Sequence, residues 1–255
     1  MSGVLSGKWM IPWVGGLLLA TAMAACGGGG EADLTARPIS DADLGTMAVY
    51  EVDLPEEFAG FVRITGESGF RTNEQSAEKD FDRADEAQDL EQFGQVRQYI
   101  RAYGPSEAGE PVPQEGAIGL VSGVRLFGDA LGASGYLQDE LADADGSVGK
   151  EAGGATIEEV ERFKVGRVAD EAVGVRTRLM FREDGSERFA YSTTVSFRRG
   201  RLLLGIAAVR MDDKDVGAEL ELLARSLDER IQVVLQAAPV ATPVATPVAT
   251  PTIVP

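Results

Sequence analysis

The chain has 255 residues and a formal net charge of −17, from 41 acidic and 24 basic side chains. That balance argues against a general nucleic-acid role, which basic surface leads. There is no histidine, which removes Ser-His-Asp and Cys-His nucleophiles and His-ligated zinc, copper and haem sites; Cys26 is the only cysteine, so no internal disulfide framework exists.

The first predicted element is a secretory leader over residues 1–25. Lys8 precedes an apolar run, Trp9–Ala20, and small residues then lead to Met23-Ala24-Ala25-Cys26. From Trp9 to Ala25 is 17 residues, broken by Pro12, Gly15 and Gly16, whereas a spanning helix needs about 20 apolar residues. Met23-Ala24-Ala25-Cys26 resembles the lipobox of bacterial lipoproteins, with Met23 where leucine is usual. The resemblance implies that the Cys26 thiol receives a diacylglycerol and that the leader is cut before Cys26. It also implies that the new amino group takes an acyl chain such as palmitate. Several acyl chains, at about 0.8 kcal/mol per buried CH2, hold a protein to a membrane stably. The implied location is the extracytoplasmic side of a cell membrane. Residues 26–39, with Gly27 to Gly30, then read as a lipidated cysteine and a flexible tether.

Residues 40–236 are expected to form an α+β domain. Ser40 caps a short helix with Asp41 and Asp43 in its first turn. Leu54-Pro55 turns the chain, and residues 58–65 read as a short strand. Over residues 71–93, apolar Ala77, Phe81, Ala84, Ala87, Leu90 and Phe93 recur at helical spacing. Gly94 ends that helix, and residues 96–103 read as a strand. The Pro/Gly/Glu-rich segment 104–116 is a loop and a candidate boundary between two halves. Residues 117–127 read as a strand and 129–141 as a helix burying Leu131, Tyr136, Leu137 and Leu141. Residues 143–155 read as loop. Thr156 and Glu159 have capping-box spacing, which predicts a helical turn before a strand over 160–165.

The C-terminal part carries the clearest pattern. Val173, Val175, Thr177, Leu179 and Phe181 alternate with Arg176, Arg178 and Arg182, and Glu183-Asp184-Gly185 is turn chemistry. Phe189 to Phe197 alternate again, Arg199-Gly200 turns, and residues 202–209 are apolar on both faces, hence central. Val216, Leu220, Leu223, Leu227, Ile231 and Val234 mark one side of a helix. The expected class is therefore α+β: an antiparallel sheet, with a three-strand meander at its C-terminal side, packed with amphipathic helices. Residues 237–255, with a proline at every fourth position from Pro239, read as an extended Pro/Thr-rich tail.

Few residues point to chemistry. Asp143-Ala144-Asp145-Gly146 matches the centre of a calcium loop, but Leu141 and Ala152 stand where an EF-hand needs carboxylates. No phosphate-binding glycine motif is present. Arg176, Arg178 and Arg182 should project from one strand face. That face reads either as an anion-binding site or as a solvated face paired with acidic neighbours. No catalytic residue, metal ligand or cofactor is predicted.

Asp170-Glu171-Ala172-Val173-Gly174, Phe197-Arg198-Arg199-Gly200-Arg201-Leu202-Leu203 and Leu223-Ala224-Arg225-Ser226-Leu227 resemble the extracytoplasmic α+β domains of Gram-positive lipoproteins. The same pattern, over residues 160–235, resembles sensor-like domains of mycobacterial kinases and, more loosely, PsbP-like folds. The functional expectation is a non-enzymatic binding or envelope-support module. Its partners would be the membrane, through the lipid, and an envelope protein or small ligand of unknown identity, with no nucleic acid. One alternative is a solute- or lipid-binding lipoprotein, which calls for a pocket between sheet and helix. The other is a carboxylate-based hydrolase of envelope polysaccharide, which calls for two facing carboxylates about 5 to 9.5 Å apart in a cleft.

Overall fold

A computed structural model describes residue 35 and residues 37–77, 83–106, 115–152, 154–183 and 186–237. The leader, Cys26, Phe81, Asp184, Gly185 and the Pro/Thr-rich tail lie outside the described residues.

The fold is α+β. Its centre is one antiparallel sheet in the order β1-β3-β4-β9-β8-β7-β6-β5, with β2 also paired to β3. The long strands are β3 (Gln95–Gly104), β4 (Ala117–Phe127), β6 (Ala155–Phe163), β7 (Glu171–Glu183), β8 (Ser186–Arg199) and β9 (Leu202–Arg210). The short ones are β1 (Val62–Arg63), β2 (Gly69–Arg71) and β5 (Glu151–Ala152). β7, β8 and β9 form the expected meander. β9, every residue of which is buried, lies between β4 and β8, as a strand apolar on both faces must. β3 and β4, on either side of segment 104–116, pair with each other, so one sheet runs across it.

Helices cover both faces. α1 (Asp41–Met47) and α5 (Gly217–Gln236) bury Leu44, Met47, Leu220, Leu223, Leu227 and Ile231 against one face, where Tyr103, Leu120, Val124, Phe197, Leu204 and Ile206 meet them. α3 (Arg83–Gln92) and α4 (Ala130–Gly146) pack Leu90, Tyr136, Leu137 and Leu141 on the other, against Phe127 and Leu203. Ser40 caps α1 reciprocally with Asp43, at 3.2 Å from Ser40 Oγ to the Asp43 amide and 2.9 Å from Asp43 Oδ2 to the Ser40 amide. Gly174 of β7 admits the Phe163 ring, since a Cβ there would lie 2.2 Å from the ring carbons.

Five local expectations are corrected. Residues 58–65 are not a strand: only Val62–Arg63 pairs, because Pro55 and Gly60 (φ +87°) bend the chain around the buried Phe58. The 71–93 helix is broken. Arg71 belongs to β2, and a capping box between Thr72 and Gln75 starts the separate α2 (Asn73–Ala77). α4 begins at the Asp129 cap but runs on to Gly146, so Asp143 and Asp145 are in its last turn. Leu131 is 83% exposed and does not join the buried side of α4. Thr156 and Glu159 start no helical turn; both pair with β7 inside β6, and sheet pairing overrides the local capping spacing.

The chain enters the fold at Thr35 and Arg37. Arg201, at the β8–β9 turn, donates to Thr35 O at 2.8 Å and to Arg37 O at 3.0 Å. Arg37 donates to Val234 O of α5 at 2.7 Å. The entry point is thus fixed at one end of the sheet, where β3 and β9 begin and β4 and β8 end.

Candidate functional site

Arg176, Arg178 and Arg182 occupy alternate positions of β7 and share a face. Each has a glutamate as its cross-strand neighbour: Glu161, Glu159 and Glu187 respectively. Arg176 donates to Asp213 O at 2.5 Å and lies over the Tyr191 ring at 5.0 Å. Arg178 lies over Phe189 at 4.0 Å and 3.7 Å from a Glu158 carboxylate oxygen. Arg182 sits 3.5 Å from Glu187. The face therefore interleaves basic and acidic residues, with aromatic rings beneath the Arg176 and Arg178 guanidinium groups. A hollow of about 380 Å³ adjoins it, lined by Val148, Gly149, Thr156, Ile157, Glu158, Glu159 and Arg178.

A second cluster lies under α3 and α4. Arg125 of β4 is buried, with Glu86 Oε1 at 3.5 Å, Gln95 Oε1 at 3.1 Å and Glu140 Oε1 at 3.8 Å. The Tyr136 hydroxyl donates to Glu86 Oε1 at 2.9 Å, and the Tyr136 ring lies 4.7 Å from the Arg125 guanidinium. Burial works against the Arg125 charge, but Tyr136, Glu140 and Glu86 overcome it and push its pKa up. Burial also pushes the Tyr136 phenol well above its ordinary range, against the pull of Arg125. Arg125 thus stays a cation and Tyr136 a neutral donor at any ordinary pH. Their two carboxylates are held inside the fold, between helix and sheet. That geometry fastens α3 and α4 to the sheet.

A third cluster secures α1. Arg101 of β3 donates to Gly45 O at 2.8 Å and Val49 O at 3.0 Å, and Arg230 of α5 donates to Ala48 O at 3.2 Å. Two cations therefore meet the carbonyl end of the helix, where its dipole favours positive charge. Sequence reasoning singled out none of Arg101, Arg125 or Arg230. The available signal was an arginine between apolar neighbours, Arg101 between Ile100 and Ala102 and Arg125 between Val124 and Leu126; nothing local marked Arg230.

The layer between α5 and the sheet is filled by Leu220, Leu227 and Ile231, each fully buried. A further hollow of about 520 Å³ lies along the β6–β7 loop, lined by Val165 to Asp170 and Ala172. Among the described residues no group of three metal-ligating side chains converges, and no helix is long and apolar enough to cross a membrane.

No protein-family model matches the chain, and no curated protein matches it. Among solved structures, it is similar to the extracellular domain of PknH from Mycobacterium tuberculosis. The identity is 9% and the TM-score 0.48, over 76% of this chain and 98% of that one.

Proposed function

We propose that the chain is a lipid-anchored extracytoplasmic module that works by binding or by supporting the envelope, without catalysis. The observation that carries this reading is Met23-Ala24-Ala25-Cys26 followed by four glycines, in a chain with no other cysteine. The buried glutamates add support. Glu86 and Glu140, the carboxylates brought together inside the fold, are committed to Arg125 and Tyr136. Absence of histidine removes the commonest base from the rest of the surface.

Intact mass spectrometry of the protein extracted from its native membrane tests the anchor. The expected species begins at Cys26 and carries a diacylglyceryl group, and Cys26→Ala abolishes both the lipid mass and membrane retention. An unmodified Cys26 in membrane-extracted protein would sink the reading.

A further inference from the structure

The tethered end of the sheet has a surface suited to lipid. This end holds the β8–β9 turn, the β6–β7 loop and the first turn of α4, as the strand registers require. Nine residue steps run from Cys26 to Thr35, a reach of at most about 30 Å. Because Arg201 fixes Thr35 and Arg37 at this end, the lipid tether would hold it nearest the bilayer.

Charge is arranged accordingly. The body is strongly acidic; at this end Glu91 of α3 and Glu229 of α5 are exposed, but the acids around the β8–β9 turn and the first turn of α4 are engaged. Asp170 accepts from the Gly200 amide at 2.6 Å and from Arg198 at 3.3 Å. Glu171 accepts from Arg198 at 3.0 Å and from Ser134. Asp228 receives Arg199 through two bonds, at 2.5 and 2.7 Å. Asp41 pairs with Arg97 at 2.9 Å, and Asp129 caps α4. Lys164 and Arg167, on the β6–β7 loop, are exposed and make no ion pair or hydrogen bond among the described residues. At the same end of the sheet, Leu131 is 83% exposed at the start of α4, and Val96 is 60% exposed at the bulge that opens β3.

We propose that this end of the molecule docks on an anionic lipid surface, with Lys164 and Arg167 meeting headgroup phosphates and Leu131 entering the interface. The inference rests on the lipid-anchor reading, which supplies the proximity. Basic side chains near an anionic leaflet and an apolar side chain at its edge are the two forces that orient an anchored body.

The test uses the chain from Cys26 to Pro255, which contains every described element and no tryptophan, since Trp9 and Trp13 both lie in the leader. Cys26 is coupled to a maleimide lipid in vesicles of equal parts phosphatidylcholine and phosphatidylglycerol, with brominated acyl chains. A single reporter is introduced as Leu131→Trp or, at the opposite end of the sheet, as Val148→Trp. Both sites are exposed, and circular dichroism checks the fold of each variant. Leu131→Trp should lose emission to the bromines while Val148→Trp keeps it. Adding Lys164→Glu and Arg167→Glu should restore the Leu131→Trp emission. Equal quenching at both sites, no quenching at Leu131→Trp, or quenching that survives the charge reversals would overturn the proposal. Since the coupling is chemical, these outcomes do not depend on native acylation, which the mass of the extracted protein reports separately.

Discussion

At the scale of single residues, Arg125 and Tyr103 show how much one buried polar group can decide. Arg125 is the cation between Glu86 and Glu140. Removing it as Arg125→Ala leaves both carboxylates under the helices without their counter-charge and should cost about 3–5 kcal/mol in urea unfolding. A loss under 1 kcal/mol on the surface-pair scale would mean that solvent reaches the cluster. Tyr103 donates to Val49 O at 2.7 Å, and burial pushes its phenol from the ordinary value near 10 up to about 12. A raised folded pKa means that this contribution to stability is intact below pH 10 and lost as pH rises toward 12. Stability should therefore fall across that window, and Tyr103→Phe should flatten the fall while costing about 0.5–1.5 kcal/mol at neutral pH for the lost hydrogen bond. An unchanged alkaline slope in Tyr103→Phe would assign the effect to other groups.

At the scale of elements, α5 does the most to close the fold. Leu220, Leu227 and Ile231 recur on one side and are fully buried, while Leu222 and Val233 on the other side are 67% exposed. Leu227→Ala should destabilise by about 2–5 kcal/mol through lost burial and the cavity left behind, whereas Leu222→Ala should stay within about 0.5 kcal/mol. Matching losses at the two sites, measured by chemical denaturation, would contradict the packing. The amphipathic pattern of α5 was readable because its apolar side meets a continuous sheet. The region around residues 58–77 was not. There, apolar residues anchor turns and a two-residue strand, and no period survives in the sequence.

At the scale of the whole molecule, the sheet crosses segment 104–116 without interruption, through β3–β4 and β4–β9 pairing. Core strands from both parts of the chain share one apolar cluster. Unfolding should therefore be a single transition, with tyrosine fluorescence and far-ultraviolet circular dichroism coinciding in urea. Two separated transitions would show that the parts on either side of that segment fold independently.

The meander, the central place of β9, the cap of α1 and the burial of α5 follow from the amino-acid sequence alone. They depend on alternation, helical period and a serine–aspartate spacing that act between near neighbours. The resemblance of Met23-Ala24-Ala25-Cys26 to a lipobox likewise rests on near neighbours. Tertiary structure alone decided that β6 takes Thr156 and Glu159 from a helical spacing into a strand, and that Arg125 meets Glu86 across 39 positions. It also decided that Arg176, Arg178 and Arg182 each face a glutamate, and that Arg201 pins Thr35 and Arg37. These depend on strand register and on which helix covers which face, and such long-range pairings leave no period in a single sequence.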